Sequence, residues 1–349
     1  MSIQSLADTG TKVWLDSVDP DYVQKMKDLG VTGATSNPVI IAGIIKAGGL
    51  DEQMAALFER GMNDEGVCWA LTDLLVSSAQ EIFQPVWEAT ACDDGWVSFE
   101  LDPLLEDPEA DVPHADRVTA YKALARQWGK GYTNRMIKIP ATPAGIEALE
   151  DVVADGLTVN VTLIFSDRQY KAARDAVWRG AQRLSDTDRF KSVFSIFISR
   201  IDVYTAEHLT ELSDAAQGQV GLVNAKRLWK QNQDFWAEKN LPLKQEIIFA
   251  STGTKVPSDP KDKYVAALAG SDIQTNPPEV NEAIQESGKA FTNTVDQLPD
   301  QAVLDEIDQK VDFAEMERVL MEEGVEKFAK PQRQLLEAVR EKRRNVVGA

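Results

Sequence analysis

Short apolar runs bounded by polar turns recur along the chain, and most are followed by a stretch of helical periodicity. The runs fall at 12–17 (KVWLDS), 31–36 (VTGATS), 96–102 (WVSFELD), 135–141 (RMIKIPA), 157–165 (LTVNVTLIF), 192–201 (SVFSIFISRI), 246–252 (EIIFAST) and 271–275 (SDIQT). Each reads as a strand. Helical periodicity fills 20–28, 50–61, 67–89, 114–129, 144–154, 167–184, 204–216, 219–237 and 260–268. Alternating strand and helix implies right-handed crossovers between parallel strands, and eight such units close on themselves. The predicted fold is therefore α/β, a single (β/α)8 TIM barrel with extra N-terminal and C-terminal helices. An open doubly wound sheet is the competing architecture, but neither of its glycine-rich phosphate turns, G-x-G-x-x-G or G-x-x-x-x-G-K-[ST], occurs. Beyond 280 the pattern is wholly helical, from NEAIQESGKAFTNTVDQL to LLEAVREKRR, with Pro299 and Pro331 as punctuation. VLMEEGVEKF and LLEAV carry apolar stripes, so helices over 280–345 should pack back on the barrel and leave 1–349 as one domain.

Composition narrows the partners. The chain of 349 residues carries 37 Lys+Arg against 56 Asp+Glu, a formal net charge of −19. That charge repels polyanions and anionic lipid surfaces, which argues against nucleic acid and membranes as partners. It also means that any anion site must be a local cationic pocket working against the global field. Cys68 and Cys92 are too few for a disulfide framework and, like the isolated His114 and His208, have no metal-ligand spacing around them. The start of the chain, MSIQSLADTG, has no basic run followed by an apolar stretch, and no apolar run approaches the roughly 20 residues of a membrane helix. A cytoplasmic location is expected. A second copy of the chain, in a homodimer, is allowed as a partner.

Alternation along the strands then selects candidate chemistry. In RMIKIPA, Ile137 and Ile139 take one face and Lys138 the other, so the isoleucines suit the helix layer and Lys138 points into the barrel. An ammonium there without a partner is costly enough that its pKa should fall, and a free amine is what Schiff-base catalysis needs. A buried structural ion pair is the plainer reading. Other strands aim polar groups inward too: Asp16 in VWLDS, Ser98, Glu100 and Asp102 in VSFELD, Asn160 and Thr162 in LTVNVTLIF. Asp16 could instead cap the helix that starts near Asp19. Together the types fit cleavage of a hydroxyketone through an iminium. Glu100 and Thr162 can relay protons through water, Asp16 can take the proton of the cleaved hydroxyl, and Asn37 and Asn160 can orient hydroxyls. The iminium is itself the electron sink, so neither metal nor cofactor is required. Arg200 in SIFISRID, with Ser251 and Lys255 in ASTGTK, could hold an anion, although STGTK taken alone reads equally as a turn before a helix.

In order and spacing, GATSNPVII, MIKIPATPAGIEAL, LTVNVTLIFS, SIFISRID, FASTGTK and EEGVEKF resemble the transaldolase family, over about residues 12 to 335. STGTK is similar to a bacterial subgroup. The resemblance implies a Schiff base on Lys138, a catalytic water held by Glu100 and Thr162, and acid/base work by Asp16. It further implies substrate contacts from Asn37 and Asn160, and a phosphate end at Ser195, Arg200 and Ser251. The substrates implied are sugar phosphates, between which a dihydroxyacetone unit is transferred in the pentose phosphate pathway. The family's second phosphate-binding arginine has no match, and Lys255 takes its place. Val39 and Arg135 also depart from the pattern, and the insertion DPLLEDPEADVPHADR should reshape the rim. Two alternatives stand beside this reading. Fructose-6-phosphate aldolases are shorter, lack a counterpart of Glu100 and use Tyr where Phe197 stands. A non-catalytic sugar-phosphate-binding barrel would be expected to have lost the lysine or an acid.

Overall fold

The computed structural model describes residues 2–270 and 272–346. Its centre is a closed barrel of parallel strands in sequence order: β1 (Lys12–Leu15), β2 (Gly33–Thr35), β3 (Val97–Glu100), β4 (Arg135–Pro140), β5 (Val159–Ile164), β6 (Ser192–Phe197), β7 (Glu246–Ala250) and β8 (Ile273–Asn276), with β8 pairing back to β1. This is the (β/α)8 fold that the alternation predicts, and each expected strand overlaps one observed strand, β8 running one residue past its expected end. Of the run 271–275, position 271 lies outside the described residues, as do the ends of the 1–349 span.

The described helices are α1 (Ser2–Ala7), α2 (Pro20–Lys27), α3 (Pro38–Ala47), α4 (Asp51–Glu59), α5 (Asp64–Ala89), α6 (His114–Gly129), α7 (Pro143–Ala154), α8 (Asp167–Ala181), α9 (Ser199–His208), α10 (Val220–Ala237), α11 (Lys263–Ala267), α12 (Pro278–Ser287), α13 (Gln301–Lys310) and α14 (Phe313–Val346). Several start at a strand's C-terminal end with a side-chain cap. Asp19, Asn37, Thr142 and Ser166 accept from backbone N–H groups of the first turns of α2, α3, α7 and α8, and proline stands in the first turn of α2, α3 and α7. Asp19 rather than Asp16 caps α2, which leaves Asp16 for other work.

Strand alternation sorts the core. Val97, Phe99, Ile137, Ile139, Val159 and Val161 are buried among helix residues. Trp14, Met136, Val193, Ile248 and Ile273 form the barrel interior. Below them, at the N-terminal ends of the strands, Lys191 donates to Asp93 at 3.0 Å and Glu246 at 2.5 Å, while Lys12 donates to the same two carboxylates at 2.8 Å each. Two cations and two anions thus close the floor.

Four expectations change. The helix read at 204–216 instead begins at Ser199, directly after β6, and ends at His208. Beyond 280, residues 288–300 contain no helix, whereas Pro331 lies inside α14 without ending it. Asp102 does not face the interior; its carboxylate accepts from the Leu104 N–H and caps the 3-10 turn Pro103–Glu106. In β5, Leu163 adopts φ 58° at a register shift between Val161 and Ile164. The extra residue resets the alternation, as a bulge does, so Leu163 joins the interior while Ile164 takes the helix side.

Of the C-terminal helices, α14 makes the broadest contacts. α14 lies against α3, α5, α9 and the turn at Pro103–Glu106. The insertion after β3 helps to hold it there, through an ion pair between Asp107 and Arg333 of α14.

Candidate active site

A cavity of about 610 Å3 opens at the C-terminal ends of the strands, where barrel enzymes carry their chemistry. Lys138 of β4, Thr162 of β5, Ser195 of β6, Arg200 of α9, Asp16 and Asn37 all line it, as do Ser251 and Lys255. Eight of the ten candidate residues therefore share one cavity; Glu100 and Asn160 stand behind its wall.

Lys138 and Glu100 face each other in register across β3 and β4. The lysine Nζ donates to Glu100 Oε2 at 2.9 Å and to the Ser36 carbonyl at 3.2 Å, and both side chains are buried. The ammonium thus has a partner, and the premise that it lies unpaired in the barrel does not hold. Burial pushes the Glu100 carboxyl up to about 7, against the attraction of Lys138 that pulls it down. A carboxylate with that affinity for protons, bonded to an ammonium, can receive the proton the ammonium must lose.

Asp16 follows β1 directly. Its Oδ1 accepts from Thr35 Oγ1 at 3.3 Å and Asn37 Nδ2 at 3.2 Å. Burial raises its pKa, opposed by Lys138 and the Thr35 bond. Asn37 divides its amide: Oδ1 caps α3 through the Ile40 N–H and Nδ2 holds Asp16. A residue fixed at both ends is a rigid positioner. Asn160 is fully buried and does not line the cavity; its amide donates to Ser98 Oγ at 2.9 Å and accepts from Ser195 Oγ at 2.7 Å. By contrast Thr162 Oγ1 is buried with no hydrogen-bond partner among the described residues, an unusual state for a core hydroxyl.

The cationic end lies on α9 and the loop after β7. Arg200 packs its guanidinium over Phe197 at 4.9 Å and Phe328 at 5.8 Å, and its Nη1 is buried without a partner among the described residues. Ser251 holds φ 56° and exchanges a 2.8 Å hydrogen bond with Ser199, so its backbone is kept in a region that non-glycine residues avoid. Lys255 is exposed, and its Nζ reaches to within 3.9 Å of where a side chain on Gly253 would begin.

Reasoning from strands missed one wall. Leu320, Glu323, Lys327 and Phe328 of α14 line the cavity, with Tyr204 and Glu207 of α9. The Phe328 ring stands 5.7 Å from Lys138 Nζ. EEGVEKF was a visible signal, but nothing in its spacing says that a distant helix crosses the mouth. Val39, 59% exposed, lines an adjoining cleft with Ile40 and Ile44. Arg135 sits away from the cavity, bonded to Gln80, Ser77 and Asp73.

A closed parallel barrel with a buried lysine and carboxylates at its C-terminal mouth defines a class of Schiff-base enzymes, and comparison with known proteins gives the family. The profile of the Transaldolase/Fructose-6-phosphate aldolase family matches residues 13–339. "Transaldolase 2" of Streptomyces avermitilis is 32% identical, with 94% of this chain and 93% of the relative covered. "Transaldolase" of Thermobifida fusca is also 32% identical, over 97% of each chain, and that of Mycolicibacterium smegmatis is 31% identical over 97% of this chain and 96% of its own. The chain belongs to the transaldolase/fructose-6-phosphate aldolase family.

Proposed function

We propose that this protein is a transaldolase, moving a dihydroxyacetone unit between sugar phosphates in the pentose phosphate pathway: sedoheptulose 7-phosphate and glyceraldehyde 3-phosphate give erythrose 4-phosphate and fructose 6-phosphate. The observation that carries this reading is the buried Lys138–Glu100 pair at 2.9 Å, with Asp16 lining the same cavity. Lys138 gives a proton to Glu100, and the free amine adds to the ketone carbon of the donor. The carbinolamine loses water, its hydroxyl leaving with a proton returned from Glu100 by way of a water and the unpartnered Thr162 hydroxyl. Asp16 then takes the proton of the hydroxyl on the far carbon of the bond to be cut, the carbon that becomes the aldehyde. That bond breaks, its electron pair enters the iminium, and the aldose leaves as the aldehyde. The acceptor aldose enters and the steps run in reverse. Asn37 holds Asp16 and meets the substrate hydroxyls, Asn160 acts through Ser195, and Arg200, Ser251 and Lys255 meet the phosphate.

The family also contains aldolases that release free dihydroxyacetone. Phe197, which lines the cavity without a hydroxyl, and the presence of Glu100 favour transfer. Incubating the protein with fructose 6-phosphate, with and without erythrose 4-phosphate, tests this. Sedoheptulose 7-phosphate should form only with the acceptor; free dihydroxyacetone at a comparable rate without acceptor would make the protein an aldolase.

A further inference from the structure

The motif EEGVEKF occupies the stretch of α14 that crosses the cavity mouth, and the proposed chemistry leaves its charged residues unused. Lys327 Nζ donates to Glu323 Oε2 at 2.6 Å, one turn apart on the helix. On most helices such an i,i+4 pair is surface decoration of small energetic weight. Here both partners line the cavity that also holds Arg200 and Ser251. Lys327 additionally lines the adjoining cleft, together with Arg200, Asp16 and Asn37.

Gly324 explains how the helix comes so close. A Cβ on this residue would stand 3.3 Å from Leu163 Cδ2 and 3.7 Å from Arg200 Nη1. Because the backbone lies nearly against the guanidinium, the side chain one position earlier is brought into its field. Of the carboxylates whose charge is felt at Arg200, Glu323 comes first, ahead of Glu100 and Asp16. Arg200 Nη1 makes no hydrogen bond among the described residues, so this attraction acts through space rather than through a closed ion pair.

We propose that Glu323 is a built-in competitor for the substrate's phosphate: it neutralises Lys327 and faces Arg200, so a phosphate group binds by taking both cations from it. Lys327 then serves as a further phosphate ligand and Glu323 as a residue that sets how tightly the phosphate is held. This suits a transfer enzyme, which must release one phosphorylated aldose before the next can enter. The inference rests on the proposed location of the phosphate end, so its test reads anion binding and needs no turnover. Binding of inorganic phosphate to the full chain is measured by titration calorimetry at fixed ionic strength, for the wild type, Glu323→Gln and Lys327→Ala. Removing a carboxylate that faces the anion should tighten phosphate binding about three- to tenfold, and removing the ammonium should weaken it by a similar factor. Glu323→Gln keeps the size of the side chain on a half-exposed helix face, and a second variant, Glu323→Ala, should tighten binding in the same sense. If Glu323 merely steadied Lys327, both Glu323 variants would bind phosphate equally or more weakly, and the proposal would fall. It would fall equally if the wild type bound no phosphate. Transfer between aldoses, assayed separately, would still stand or fail on its own.

Discussion

At Lys138 the decisive question is where the proton goes. An inward lysine alone says only that a charge has been placed where charge is expensive, and a structural ion pair satisfies that description as well as a nucleophile does. The partner decides. Glu100 is itself held up at about 7 by burial and is bonded to the ammonium, so it is placed to take the proton that Lys138 must lose. The same value fixes a pH dependence. Glu100 must be ionised to receive the proton, so kcat/KM should fall as the pH drops below about 7. In Glu100→Gln that acid limb should disappear and turnover should drop on the order of 10²-fold or more, the usual contribution of a general acid/base. A pH–rate profile with wild-type turnover and an unchanged limb in the variant would make Glu100 a structural acid. Asn160 shows the limit of such reasoning from residues. Alternation correctly turned it inward, but only the structure reveals that Ser98 and Ser195 consume its amide.

At the scale of elements, the strands were legible as short apolar runs bounded by polar turns, and in β3, β4 and β5 a period of two also marks the inward polar residues. Where an element is apolar beyond the face it buries, or where one element runs straight into the next, that print fades. α3 (PVIIAGIIKA) is apolar nearly all round although it buries only the face of Pro38, Ile41, Ala42 and Ile45, so no stripe distinguishes it; its capping Asn37, first-turn Pro38 and terminal Gly48 at φ 91° were the available signs. The start of α9 was hidden because a single residue, Ile198, separates it from β6, which leaves no turn between the two elements. The bulge at Leu163 was invisible for a different reason: its left-handed backbone is imposed by tertiary contacts on a residue with no local preference for it. Loop and helix starts are also where the site is most tightly built. At Gly145, in the first turn of α7, a Cβ would lie 2.0 Å from the Pro140 carbonyl oxygen at the end of β4. Gly145→Ala must therefore push α7 off the strand that carries Lys138. We expect a loss of roughly 1–3 kcal/mol in urea denaturation, as for other overpacked contacts, together with reduced turnover. An unchanged midpoint would show that α7 is not seated against β4.

On the scale of the whole molecule, one end of the barrel performs chemistry and the other holds it shut. The floor cluster escaped the sequence reading because Lys12, Asp93, Lys191 and Glu246 come from four separate segments, each unremarkable by itself. Lys191 is fully buried, so Lys191→Met leaves the buried Glu246 and the half-buried Asp93 short of a partner and should cost about 3–5 kcal/mol near neutral pH. Burial raises the Asp93 carboxyl, but Lys191 and Lys12 outweigh it and hold the group well below the ordinary aspartate range. The stability that Asp93 contributes is thus present above its unfolded value, about 3.9, and is lost as the pH falls toward the folded one. The gap between wild type and Lys191→Met should narrow below about pH 4 for the same reason. A gap that stayed constant down to pH 3 would mean that packing, not charge, holds the floor.

The central claim is that Lys138 forms the covalent bond to the donor. Sodium borohydride added together with fructose 6-phosphate should inactivate the protein irreversibly by reducing the iminium, and should leave a dihydroxyacetone-sized mass increment on the peptide that contains Lys138. Borohydride alone should do neither. An increment on Lys12, Lys255 or Lys327 in place of Lys138, or full activity after reduction in the presence of donor, would contradict the account.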